Sequence, residues 1–157
     1  MEPRQQAQIA ETMAAMKDAE LAVSEFYTVC ANISPQDAEL WQDLSKQEAN
    51  HAQIVAQMEK LFATRPEDFR PGRPFNAVAI RTFIKGIKWN QERALKGALP
   101  RRQLIGVARD IESSIIESSF RNIVETQNQE FQELMKQLLD ETADHHGKID
   151  KLLKEAQ

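Results

Sequence analysis

Glu48 and His51, in the stretch QEANHAQI, are three residues apart and so fall one turn apart on the same face of a helix. The other residues on that face are Trp41, Leu44, Val55, Met58 and Phe62, all apolar. Glu20 interrupts a second apolar stripe of Ile9, Met13, Met16, Val23, Tyr27 and Cys30, and Glu112 a third of Ile105, Ala108, Ile115 and Ser119. An unpaired carboxylate buried in a core costs several kcal/mol, against a total stability of only about 5–15 kcal/mol. A bound cation offsets that cost. Carboxylate oxygens with imidazole nitrogen suit iron or manganese, and zinc less well. The competing explanation is three glutamates reaching solvent and one histidine bonded to backbone.

These residues need long helices to carry them. The stripes advance in alternating steps of three and four, the period of a helix face packed in a bundle. Helices are expected over roughly 4–32, 35–63, 76–97, 101–125 and 128–155, within one domain spanning 1–157. Ser34 can cap the second, with Pro35 at its first position and Asp37 in its first turn. Thr126 followed by Gln129 forms a capping-box pattern for the last. Between the second and third of these helices, TRPEDFRPGRPF carries three prolines in nine residues and reads as an extended connection. The expected fold is all-α: a ferritin-like four-helix bundle of two helical hairpins, joined by a long crossover containing a short extra helix.

The two halves have the look of a duplication. At an offset of 95 residues, Leu44, His51 and Ile54 fall on Leu139, His146 and Ile149 in the stretch DETADHHGKI. Gly147, beside His146, weakens a helix by about 1 kcal/mol relative to Ala and suggests close approach of a neighbouring helix.

In this order and combination, the motifs resemble the ferritin-like di-iron carboxylate proteins, in particular the rubrerythrin-like branch. KDAELAVSEFYTVCANI is similar to the first helix of that branch, with a metal-binding Glu20 and Tyr27 seven residues on. EANH matches its Glu-x-x-His, which implies Glu48 as a bridging carboxylate and His51 as a terminal ligand. ARDIESSIIESSF resembles its third helix, with Glu112 as the terminal carboxylate. The resemblance implies a second Glu-x-x-His at positions 143 and 146, where His146 is present but residue 143 is Ala. Ser119 stands where the family often has Tyr, and the chain has no CxxC pair for a rubredoxin module. Electrons are therefore expected from a separate donor.

Ala143 unbalances the charge. Three glutamates leave two divalent ions at +1 and a single ion at −1. Asp144 is one candidate for compensation, because helical side chains lean toward the N-terminus. Glu141 with His145 is the other, an i,i+4 pair in phase with Leu134, Leu138 and Leu152. The expected metal set is Glu20, Glu48, His51, Glu112 and His146, holding two iron ions or one, with zinc or manganese as alternatives. Tyr27 is expected to hydrogen-bond a ligand, to act in redox, or simply to fill the core.

Composition narrows the remaining classes. The single cysteine excludes a disulfide framework, and Cys30 on an apolar stripe reads as a buried, inert thiol. The N-terminal residues lack an apolar leader and no run approaches a membrane span, so a soluble, cytoplasmic protein is expected. Residues 64–109 hold eleven Lys or Arg against three acids, and the remainder of the chain carries the opposite sign, for a net −4. That basic segment is expected to dock on acidic helices or on another subunit of a homodimer, and its lack of interleaved aromatics disfavours nucleic acid. Motifs for zinc proteases, phosphate loops, dinucleotides and calcium are absent from the sequence. The expected activity is a non-haem oxidoreductase acting on peroxide or oxygen. The alternatives are a metal-binding helical protein that has lost catalysis and serves structure, sensing or metal handling, and a metal-free interaction module.

Overall fold

The computed structural model describes residues 1–73, 75–114 and 120–156. Helix α1 (Pro3–Ile33) starts with Pro at its first position, and the Glu2 N–H donates to Gln5 Oε1 at 3.2 Å. All seven residues of its expected stripe, Ile9 through Cys30, are buried. One tight turn, Pro35–Asp37, then reverses the chain into α2 (Ala38–Thr64), whose stripe from Trp41 to Phe62 is also fully buried. Partners run in opposite directions along the two helices: Lys17 meets Glu59 and Thr28 meets Ser45, so α1 and α2 are antiparallel. Trp41, Tyr27, Phe26 and Phe62 are among the largest fully buried side chains, each contributing about 1.5–3 kcal/mol by its removal from water. Cys30 lies in the same core, and burial pushes its thiol pKa up, which keeps it protonated and inert.

The crossover is more ordered than its prolines suggest. After a turn at Pro66–Asp68, strand β1 (Phe69–Pro71) pairs antiparallel with β2 (Val124–Thr126). Gly72 sits where a Cβ would collide with the Asn122 backbone carbonyl, so a residue without a side chain is needed there. Helix α3 (Ala77–Leu95) is capped by Asn76 Oδ1, which accepts from the Val78 N–H at 2.8 Å. It lies along α1, with Thr12 bonded to the Phe75 carbonyl and Asp18 to Arg81. Gly97, at φ 71°, ends it.

The second half departs from the sequence expectation. Helix α4 (Arg101–Glu112) does not reach residue 125; it stops where the Ser113 N–H donates to the Arg109 carbonyl, and residues 124–126 are strand. Ile115 and Ser119 lie outside the described residues. Helix α5 (Gln129–Glu155) is capped by Asn128, whose Oδ1 accepts from the Phe131 N–H at 3.0 Å. Thr126 instead donates to the Asp68 carbonyl and accepts from the Asn128 N–H, which ties β2 to the crossover.

Arg101 grips the buried Asp37 with two bonds of 2.7 and 2.9 Å, fixing the start of α4 against the α1–α2 corner. That guanidinium holds the Asp37 carboxyl below the usual carboxylate range. The fold is all-helical apart from the two-stranded ribbon, and the helices share one apolar core. Among the described residues, no helix is long and apolar enough to cross a membrane.

Candidate metal centre

Four helices bring polar side chains to one level of the core. From α1 come Glu20 and, two turns on, Tyr27; from α2 come Gln47, Glu48 and His51; the end of α4 supplies Glu112; and α5 supplies Glu141 and His145. Glu20 is 3% exposed, Glu48 2%, and both His51 and His145 0%. The His51 and His145 rings stack at 5.1 Å with an interplanar angle of 15°. One oxygen of Glu48 and one nitrogen of each histidine lie within 4.8 Å of one another.

Glu48 is the hub. His145 Nδ1 is 2.7 Å from its Oε1, and His51 Nδ1 is 3.4 Å from its Oε2 and 3.9 Å from Glu20 Oε2. Burial alone pushes the Glu48 carboxyl up. Hydrogen bonding with His145, His51 and Glu20, together with the charge of His51, outweighs burial and holds it well below the usual carboxylate range. A buried carboxylate that stays ionised is a ready ligand for a cation.

The far nitrogen of each ring is held from the opposite helix. His51 Nε2 meets Glu141 Oε2 at 2.8 Å, and Gln137 donates to the other Glu141 oxygen at 3.0 Å. An ionised carboxylate only accepts, so His51 Nε2 carries the proton. His145 Nε2 meets Gln47 Oε1, whose amide is oriented by Nε2 donating to Asp43 Oδ2 at 2.8 Å. His145 Nε2 is therefore also a donor. Both rings also turn Nδ1 onto Glu48; the proton shared with the carboxylate there is the one a bound cation would displace, leaving Nδ1 as a ligand with Nε2 held by its partner, an arrangement that suits metal-binding imidazoles.

Glu112 approaches from α4, and Tyr27 Oη donates to its Oε1 at 2.6 Å. The Tyr27 ring stacks on Trp41 with centroids 5.5 Å apart. Burial, then the charges of Glu112 and Glu48, raise the Tyr27 pKa well above 10.0, so the hydroxyl remains a donor. Glu20, Glu48 and Glu112 line a cavity of about 20 Å³, together with Met16, Val23 and Ile111 among others. That is room for about one water-sized group. The three carboxylates line this space, and Glu48 also meets the two imidazoles, a donor set that fits a first-row transition metal.

On α5 it is His145, not the expected His146, that the structure brings to the cluster. His146 is half-buried on the adjoining face, with Nε2 2.9 Å from Ser113 Oγ and Nδ1 3.3 Å from Asp150. Ala143 and Asp144 are exposed, and Asp144 pairs with Lys148 at 3.1 Å rather than entering the core. Glu141 does reach the centre, as the partner of His51 Nε2. The buried stripe of α5 is Phe131, Met135, Leu138, His145, Ile149 and Leu152, with half-buried Thr142 filling the gap. An offset of 94, not 95, carries Trp41, Leu44, His51, Val55 and Met58 onto Met135, Leu138, His145, Ile149 and Leu152. Every one of those ten residues is buried, whereas Leu139 at the offset of 95 is only half-buried. In that register the counterpart of Glu48 is Thr142, whose hydroxyl donates to the Leu138 carbonyl at 2.9 Å. Gln47, Asp43 and Gln137 escaped sequence reasoning because they lie one step off the stripe. Among the described residues, no other part of the fold comes within 4 Å of where a Gly147 Cβ would stand, so the expected close approach of a neighbouring helix is not seen.

The chain matches no protein-family model, no curated protein and no solved structure.

Proposed function

We propose that the Glu–His cluster is a transition-metal centre and that the chain is a rubrerythrin-like, ferritin-type oxidoreductase acting on peroxide or oxygen. The observation that carries this reading is the pair of buried histidines, each held at Nε2 and each turning Nδ1 onto the ionised Glu48. Glu20, Glu48, His51, Glu112 and His145 would hold the metal, with iron the preferred ion and zinc or manganese alternatives. Ferrous iron held by these residues would supply the two electrons that, with two protons, reduce peroxide to two waters, and a separate donor would restore them. Tyr27 would keep Glu112 in place through its hydroxyl, and the small cavity favours an inorganic oxidant over an organic substrate.

Elemental analysis of the purified protein should find iron, and anaerobic ferrous loading followed by peroxide should consume peroxide with a change in absorption. Glu48→Ala should lose both. Protein that retains no metal, or a Glu48→Ala variant indistinguishable from wild type, would refute the proposal. A second reading is favoured by Thr142 standing where a fourth carboxylate would balance two ions: a metal-binding protein without turnover. It predicts one ion per chain and no peroxide consumption.

A further inference from the structure

The partners of the two histidines are related by the same offset of 94 as the histidines themselves. Asp43 corresponds to Gln137, Gln47 to Glu141, and His51 to His145. Each ring is held across the α2–α5 interface by the residue equivalent to the one that holds the other. The chemistry of the two relays is swapped. His51 meets a carboxylate directly, and an amide stands behind it: His51–Glu141–Gln137. His145 meets an amide directly, with the carboxylate one step further out: His145–Gln47–Asp43. A carboxylate on the N–H of an imidazole makes its other nitrogen a stronger donor, whereas a neutral amide fixes orientation and adds little basicity.

The anionic ligands are divided in the same sense. Glu48 serves both rings, 2.7 Å from His145 Nδ1 and 3.4 Å from His51 Nδ1, and Glu20, 3.9 Å from His51 Nδ1, adds a second carboxylate on the His51 side. On the His145 side the counterpart of Glu48 is Thr142, which contributes no charge, and one oxygen of Glu112 already accepts from the Tyr27 hydroxyl. Basicity and charge therefore point the same way.

We propose that the centre is unequal by construction and takes up divalent first-row metal ions in order, the half built on His51 filling before the half built on His145. Glu141 acts here as a positioning residue, through His51. The inference rests on the metal-centre reading above.

The test is titration of the metal-free full chain with Co²⁺, whose visible absorption reports the donors, and with Zn²⁺ in competition with a chromogenic chelator. Wild type should show a tight first ion and a weaker second. Glu141→Gln keeps shape while removing charge, and should weaken the first step by about 10–100-fold without moving the second. Glu141→Asp should recover part of that loss. Gln47→Glu should do the reverse and strengthen the second step, a gain that a merely structural role would not produce. Two equal affinities, or a first step unmoved by Glu141→Gln in a protein that still binds ions, would overturn the ordering alone. A wild type that binds neither ion would overturn the ordering together with the metal-centre reading. Glu141 is 36% exposed in its side chain, so the variant should fold, and far-UV circular dichroism checks that it does.

Discussion

Tyr27→Phe removes one oxygen from the centre and leaves the packing in place. The ring is fully buried, stacked on Trp41 at 5.5 Å and tilted against Phe26 at 5.9 Å, and phenylalanine keeps both contacts. What is lost is the 2.6 Å bond to Glu112 Oε1. A hydrogen bond to a charged group contributes about 1.5–3 kcal/mol. Glu112 is half-buried, so water can replace part of the donor and the lower end, about 1.5 kcal/mol, applies. In a domain of this size each kcal/mol moves Tm by about 2–4 °C, so the variant should melt about 3–6 °C lower. The alkaline limb supplies an independent check. The folded Tyr27 has a pKa raised above 10.0, mainly by burial, so it favours the folded state only while the hydroxyl is protonated. That contribution is complete below the unfolded value and is lost as pH rises from there through the folded one. Urea unfolding followed by far-UV circular dichroism, near neutral pH and at several points above pH 10.0, measures both effects. Wild type should lose stability steeply in the alkaline range, and Tyr27→Phe less so. A variant within about 0.5 kcal/mol of wild type at neutral pH, the range of an ordinary surface change, would refute the bond's contribution. An alkaline limb unchanged by the substitution would refute the assignment of the titration to Tyr27.

Two glycines and two neighbouring positions on α5 give the remaining predictions. Gly147→Ala should raise stability by about 1 kcal/mol in urea unfolding, because the residue is helical and has open space around it. Gly72→Ala should lower stability by about 1–3 kcal/mol, because its Cβ meets the rigid Asn122 carbonyl; equal effects would contradict the packing of the β1–β2 ribbon. Thr142→Glu should raise the affinity for a second ion in the same Co²⁺ titration, while Ala143→Glu, on an exposed position, should leave it unchanged. The opposite result would place the α5 register at His146.

Most of the first half of the fold was legible because its signals agree. In α1 and α2 an unbroken alternation of three and four coincides with strong boundaries at Pro3, Pro35 and Pro66, and every stripe residue is buried. After Glu112 the signals conflict. Ile115 and Ser119 continue the helical period in sequence, yet Val124–Thr126 is held as a strand by pairing with Phe69–Pro71. A contact between segments 55 residues apart has no local signature, and Thr126 could only be read as a cap because its partner, the Asp68 carbonyl, is remote.

The site shows the same division in a sharper form. Glu20, Glu48 and His51 were visible as polar breaks in apolar stripes, a signal that depends only on period. On α5 the choice between two adjacent histidines depended on register. Matching identical residues favoured an offset of 95 on the strength of Leu139, His146 and Ile149. A helix turns about 100° per residue, so an error of one position moves a side chain from the core to the flank. Burial is the stricter criterion, since equivalent positions of two repeated helices should be buried alike. At 94 all five pairs satisfy it, and Gln47 and Glu141 become equivalent as well. This also relocates the missing carboxylate. Ala143 faces solvent, and the uncharged residue in register with Glu48 is Thr142, one turn before the histidine that reaches Glu48.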